Sequence, residues 1–534
     1  MSRGQGTIMI RTSSFLLLVL LCALATACGV QATASPTPAV LPSSTPREIP
    51  STVTPTPLPT PTPSPSPAIP DWMIQQQMAM TQAAGSDIQV LEHLTRYDID
   101  LAIGVESLTL MGKQVTWYTN NEGVPLDELY FNLFPNSSRF AASMEITSAS
   151  IGGQDIAFAY ELDHKAVKVP LPQPLQPGQS TSVNLEFRAR VPFVQENHYL
   201  VFVFAQGVFS LGDWHPMVAV YDDDGWNLEY PEGTVGEIVY SESAFYTVRV
   251  TMPIELQVLA TGVEAEGTVN SDGSLTVVYY SGPVRDFHIV ISDRYEVVSG
   301  TVGGTTINSY YWPEHETCGA EILWFASVAF NLYSQLFGPY PFTELDLVEA
   351  DLWPWAIEWP GFILVGEPLY SDPQEVCGEW HVVHEVAHQW WYSVVGNDQV
   401  DEPWLDEALA NYSTVLYYRM VRDPEIAEAT INEHIHQRYE AYVRAYGDGI
   451  VGGATRDYSR SSYYPLVYAK GALFFEALHE LMGDEAFFEG LRRYYQEHKY
   501  GVATPEGLLA IMEQAHGEPL HDFYEHWILS AEGA

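Results

Sequence analysis

The sequence predicts a multidomain chain: an N-terminal all-β domain, sandwich- or saddle-like, followed by an α/β, mainly helical domain. Three observations predict it. The 534 residues exceed what one hydrophobic core organises. Alternating apolar and polar positions, rich in β-branched and aromatic residues, run from about Ser86 to Gly300. Helical spacing dominates after about Gly303.

The β-type stretches include "YDIDLAIGVESLTLMG", "STSVNLEFRARVPF" and "SAFYTVRVTMP", each punctuated by Gly, Pro, Asn or Asp. No internal repeat of fixed period interrupts them. "INSYYW" reads as one more strand, and "GGTT" at Gly303 as an isolated turn. "ETCGAEILWFASVAFNLYSQLFG" then shows helical spacing and stops at Gly338, a C-terminal cap residue type. "ELDLVEAD" and "GFILVGEPLY" read as strands. From Gln374 onward the pattern is mostly helical. The expected division is residues 1–27 export signal of lipoprotein type, 28–85 linker with a short helix, 86–302 β domain and 303–534 helical domain.

The export reading rests on Arg3 and Arg11 ahead of "FLLLVLLCALATA", an apolar run too short to span a bilayer comfortably. Cys28 follows small residues as in a bacterial lipobox and is the expected lipid anchor. Ala25 stands where Leu is usual, so plain secretion stays open. The expected location is exported, at the cell surface or in the periplasm, anchored to a membrane. Ala32–Pro70 is almost wholly Pro, Thr, Ser and Ala. Such a stretch favours extended polyproline conformation and forms no core, which suits a stalk. Cys22 leaves with the signal, so Cys318 and Cys377 form a candidate disulfide in an oxidising compartment, with two buried thiols as the alternative.

The formal charge of −45 becomes −47 once Arg3 and Arg11 are removed. A surface this acidic repels nucleic acid and anionic lipid. No phosphate-binding loop and no nucleophile-elbow motif is present. "YDDDGWN" at Tyr221 reads as a solvated acidic turn rather than a calcium loop.

The informative stretch is "HEVAHQWW" at His384, followed by "WLDEALANY" at Trp404. Residues four apart share a helix face, so His384 and His388 can grip one ion. Glu385 lies beside them, suited to serve as a general base. Glu407, 19 positions beyond His388, supplies a carboxylate from the next helix. Asp406 competes for that place, and His381 is expected to pack behind the site. A chance H-E-x-x-H in this composition occurs at most roughly 0.06 times per chain, and below about 0.01 with the later acid required.

His384, Glu385, His388 and Glu407 at this spacing resemble the gluzincin aminopeptidases of the aminopeptidase N and leukotriene hydrolase family. "FGPYPFTELDLVEAD" at Phe337, "WAIEWPGF" at Trp355 and "VYAKGALFF" at Val467 are similar to further family segments, over roughly Ser86 to the C-terminus. The resemblance implies a thermolysin-like zinc peptidase domain holding one Zn2+ per chain. It implies Glu358 as the ligand of a substrate's α-ammonium and Tyr468 as a hydrogen-bond donor to the oxyanion. Peptides with a free N-terminus are the implied substrates. Trp355, Ile357 and Trp359 depart from the family's usual Gly, Met and Asn, and Tyr392 from a usual Gly; Trp353 adds bulk nearby. The family's large C-terminal helical domain is expected to be missing. Two other readings remain: a zinc endopeptidase of thermolysin type, and a non-catalytic cell-surface binding protein.

Overall fold

This computed structural model describes residues 69–194, 201–231, 235–352, 355–371 and 376–531. The export segment, Cys28, nearly all of the Pro-rich stretch and Trp353 lie outside the described residues. No described helix is long and apolar enough to cross a membrane.

The β domain is built on an eight-stranded sheet. Its spatial order is Val263–Val269, Ser274–Val284, Ala244–Pro253, Thr95–Gly104, Thr109–Thr119, Ser180–Arg190, Ser143–Ile151, Gln154–Asp155. Only Thr95–Gly104 and Ala244–Pro253 pair in parallel within it. Burial alternates residue by residue along Thr95–Gly104, so one face is covered and one is wetter. The described residues also form two four-stranded sheets and a two-stranded ribbon; the strands Val208–Leu211 and Ile289–Ser292 of one four-stranded sheet are buried on both faces.

Two expected boundaries move. The segment after Pro70 is not linker. Its helix Asp71–Gln76 buries Gln76, whose Nε2 donates to Tyr246 O at 3.0 Å and whose Oε1 accepts from Gly282 N at 3.1 Å. The division at 302/303 falls inside a hairpin. Strand β1 (Glu296–Val302) pairs antiparallel with β2 (Thr305–Tyr311) across Gly303 and Gly304, both at positive φ. The β texture runs unbroken through this point, so alternation alone cannot show which sheet a strand joins.

β1 and β2 open the sheet of the second domain. Its order is β1-β2-β3-β5-β4, with β3 Glu344–Ala350, β4 Ala356–Trp359 and β5 Phe362–Gly366. β2, β3 and β5 run parallel, and β4 is an antiparallel edge strand. The expected strand "GFILVGEPLY" ends at Gly366 and turns into a short helix, Glu367–Ser371. Helix α1 (Glu316–Leu336) buries an apolar stripe, Ile322, Phe325, Ala329 and Phe330 among it, at the spacing an amphipathic helix requires. Helix α2 (Glu379–His388) packs between α1 and helix α3 (Trp404–Val421), and α3 also packs on α4 (Gly471–His498).

The expected helix "GEWHVVHEVAHQWWYSVVG" is shorter than its apolar run. It ends at His388, and the chain folds back, with Tyr392 at φ +112° and its N–H bonded to Val395 O at 2.8 Å. Two buried tryptophans anchor the turn. Trp390 Nε1 donates to Gly338 O at 2.9 Å, and Trp391 Nε1 to Ser413 Oγ on α3 at 3.1 Å. Truncating either to Ala leaves a large cavity and costs about 3–5 kcal/mol.

Cys318, in the first turn of α1, is bonded to Cys377, just before α2, with Cα atoms 5.3 Å apart. The bridge closes a loop of 59 positions and ties the start of α2 to α1. The double variant C318S/C377S should lose about 2–4 kcal/mol of unfolding free energy. Chemical denaturation of the oxidised chain and the variant measures this; coincident curves would deny the bridge a stabilising role.

Candidate metal centre

α2 places His384 and His388 one turn apart on one face, as the spacing requires. α3 brings Glu407 to the same point. His384 Nε2 and His388 Nε2 are 3.1 Å apart, and each is 3.2 Å from Glu407 Oε2. The three donors therefore form a nearly equilateral triangle. A tetrahedral ion with bonds of about 2.0–2.1 Å separates its ligand atoms by about 3.3–3.4 Å, so the triangle fits zinc after shifts of a few tenths of an ångström. The donor set, two imidazoles and one carboxylate with a fourth place left open, is that of a hydrolytic zinc site.

The surroundings orient these ligands. His388 Nδ1 lies 3.0 Å from Trp391 O. Donation to that carbonyl puts the proton on Nδ1 and aims the Nε2 lone pair at the triangle. The early end of α2 is thus what brings the Trp391 carbonyl back to the histidine. Asp406 sits behind, 3.9 Å from His388 Nδ1, held by Asn397 Nδ2 at 3.0 Å and Gln399 Nε2 at 2.8 Å. At 3.9 Å it faces the far nitrogen, whereas Glu407 meets the Nε2 atoms of both histidines. His381 stacks on Trp355 with ring centroids 5.0 Å apart, away from the triangle, and burial lowers its pKa to about 3.

Electrostatics also favour a cation here. Burial alone would raise the Glu407 pKa, yet the hydrogen bonds and charges of His384 and His388 hold it down at about 2. Burial lowers the proton affinity of His384. For His388 the same burial is outweighed by Glu358, Glu407 and Glu385, which raise it well above the ordinary range. Three carboxylates thus converge on one point in a dry site, a field that attracts positive charge.

Glu385 lies beside the triangle, and burial lifts its pKa to about 8 despite His388. It is hydrogen-bonded to Glu358. Glu358, Glu385 and His388 offer donor atoms within 4.8 Å of one another, so these three share one pocket. Glu358 sits on edge strand β4 and is buried. Gln399 Nε2 approaches its Oε1 at 3.5 Å. Tyr468 donates to Glu407 Oε1, and its ring stacks on His384 with centroids 5.7 Å apart. Burial, then Glu407, keep its hydroxyl protonated well past the usual range.

Sequence reading missed Gln389. Fully buried, it accepts from Tyr340 OH at 2.9 Å and Gly361 N at 2.8 Å, and donates to Trp359 O at 3.0 Å. It locks the metal helix to the β4–β5 turn and so fixes the distance from Glu358 to the triangle. The signal available was a lone amide between His388 and Trp390 in an otherwise apolar run. Asn411, one turn beyond Glu407, was missed too; its Nδ2 donates to Tyr468 O at 3.0 Å.

The Peptidase family M1 domain matches residues 326–527. Aminopeptidase M1-B of Oryza sativa subsp. japonica is 27% identical over 314 residues, covering 54% of this chain and 35% of that protein. Aminopeptidase N of Lactobacillus delbrueckii subsp. lactis is 27% identical over 216 residues, covering 36% of this chain and 24% of that protein. The chain therefore spans only about a third or less of these curated relatives. An M1 zinc metallopeptidase from Deinococcus radiodurans shares the fold, with TM-score 0.61 at 19% identity over 83% of this chain and 96% of that one. Residues 326–527, the stretch that matches the Peptidase family M1 domain, thus hold the two histidines of one helix and the glutamate of the next that face a single point.

Proposed function

We propose that the protein is a zinc-dependent aminopeptidase holding one Zn2+ per chain through His384, His388 and Glu407. The observation that carries this reading is the donor triangle with Glu385 and Glu358 in the same buried pocket. A zinc ion bound there would lower the pKa of water towards about 7 and polarise a substrate carbonyl.

The chain's own residues supply the remaining steps. Glu358 holds the substrate's α-ammonium, a charge-assisted contact in a dry pocket. That contact sets which peptide bond reaches the centre, namely the first. Glu385 takes the proton of the attacking water as it adds to the carbonyl, and returns it to the leaving amine. Tyr468 turns its hydroxyl from Glu407 to the oxyanion and donates where negative charge develops. Trp355, just ahead of β4, stacks on His381, and Trp359, next to Glu358 on β4, packs on His288.

Two relatives' structures are consistent in kind: one M1 zinc metallopeptidase of Deinococcus radiodurans is bound to a Tyr-Ser-Ala substrate, and a two-domain M1 zinc metallopeptidase to L-arginine. The signal-like start, Cys28 and the Cys318–Cys377 bridge support an exported protein held at a membrane by lipid, since disulfides persist in oxidising compartments.

Replacing Glu385 with Gln should leave zinc bound and reduce kcat roughly 10²- to 10⁴-fold. Steady-state kinetics with parallel metal analysis reads both; near-native kcat would remove Glu385 as the base. E358Q should raise KM for free-amine aminoacyl substrates roughly 10- to 100-fold. N-acetylated versions of the same substrates should be refractory to the native enzyme. Efficient cleavage of the acetylated form would point instead to the endopeptidase reading.

A further inference from the structure

Tyr468 does not sit on a regular helix. It lies in a turn of i→i+5 bonding, Tyr464–Lys470, inserted just ahead of α4. Such turns are held by their surroundings rather than by intrinsic preference. Three contacts hold this one. Asn411 binds the Tyr468 carbonyl. Gly471 lies so close to α3 that a Cβ there would come within 2.5 Å of Ala408 Cβ. The third contact is Lys470, fully buried.

The Lys470 ammonium has three N–H donors, and each meets an acceptor. They are Asp448 Oδ2 at 2.8 Å, Gly449 O at 2.9 Å and Ser530 O at 3.1 Å. Its acceptors come from two segments far apart in sequence, which are themselves joined. Val451 N and Gly452 N both donate to Ile528 O at 3.0 Å. Gly449 and Gly452 allow the close approach: added Cβ atoms would come within 2.5 Å of Leu466 and 2.8 Å of Ile528. One buried cation thus binds the loop 448–452, the C-terminal turn Glu525–Leu529 and the Tyr468 turn into a single block.

A buried ion pair is a weak source of stability, because desolvation offsets its attraction. What it does supply is a tie: each of the three N–H donors meets an oxygen, and moving any one of the three segments would leave a buried donor unpaired. From this arrangement we infer that Lys470 is a positioning residue that fixes the Tyr468 hydroxyl for the oxyanion, using the C-terminal segment as its brace. The inference rests on the oxyanion role proposed above for Tyr468.

The test is a cycle of four chains, native, Y468F, K470M and Y468F/K470M, assayed with a free-amine aminoacyl anilide and analysed for zinc. K470M should lower kcat roughly 10- to 100-fold, as expected for a displaced group in a preorganised site, with KM and bound zinc near native. In the Y468F background K470M should cost nothing further, because both changes remove one function. The inference is overturned if K470M keeps native kcat, if it loses zinc, or if it slows the Y468F chain by the factor it slows the native one. Should K470M fail to fold, K470M/D448N removes both charges and enters the same cycle. Unchanged kcat in Y468F alone would overturn the role given to Tyr468 itself, and this inference with it.

Discussion

Three polar atoms from two helices meet within 3.1–3.2 Å of one another in a dry interior, and the surrounding structure is arranged to make that possible. Buried imidazoles and a carboxylate are costly unless something satisfies them. The packing keeps them converged. Trp390 pins the end of α2 to the chain after α1, Trp391 pins it to α3, and the disulfide fixes its beginning. α2 is only ten residues long and is held at both ends. The backbone turn after His388, with Tyr392 in a strained region, returns a carbonyl to His388 Nδ1. A bulky residue at positive φ stores energy of order 1–3 kcal/mol, and here the turn it permits orients a metal ligand.

Around that point the carboxylates are graded by their partners. Glu407, bonded by both imidazoles, is held ionised. Glu385 is lifted by burial to about 8 despite the opposing influence of His388 and of its hydrogen bond with Glu358. Two glutamates on neighbouring helices thus suit different tasks because their environments differ. Gln389 then sets the spacing between this pair and Glu358 by tying α2 to β4 through backbone contacts.

The convergence of His384, His388 and Glu407 was legible in the sequence because it depends on local periodicity. His384 and His388 share a face on any helix, and Glu407 falls in the first turn of the next one. The β texture and the helix at Glu316–Leu336 were legible for the same reason. Long-range choices were not. The apolar run after His388 looks helical to Gly396, but tertiary anchoring by two tryptophans ends the helix at His388. Glu296–Val302 alternates like its predecessors, and only pairing with Thr305–Tyr311 assigns it to the second sheet. Residues 71–85 read as linker with a short helix; the helix forms at Asp71–Gln76, and Gln76 is drawn into the β domain. Gln389, Asn411 and Lys470 act through partners 21 to 60 positions away, which no spacing rule exposes.

The central claim is tested most directly by titrating Zn2+ into metal-stripped protein, in native form and as E407A. The account predicts one tight site per native chain, and a site at least roughly 100-fold weaker once the carboxylate ligand is gone. Binding of equal affinity and stoichiometry in E407A, or no site in the native chain, would contradict it.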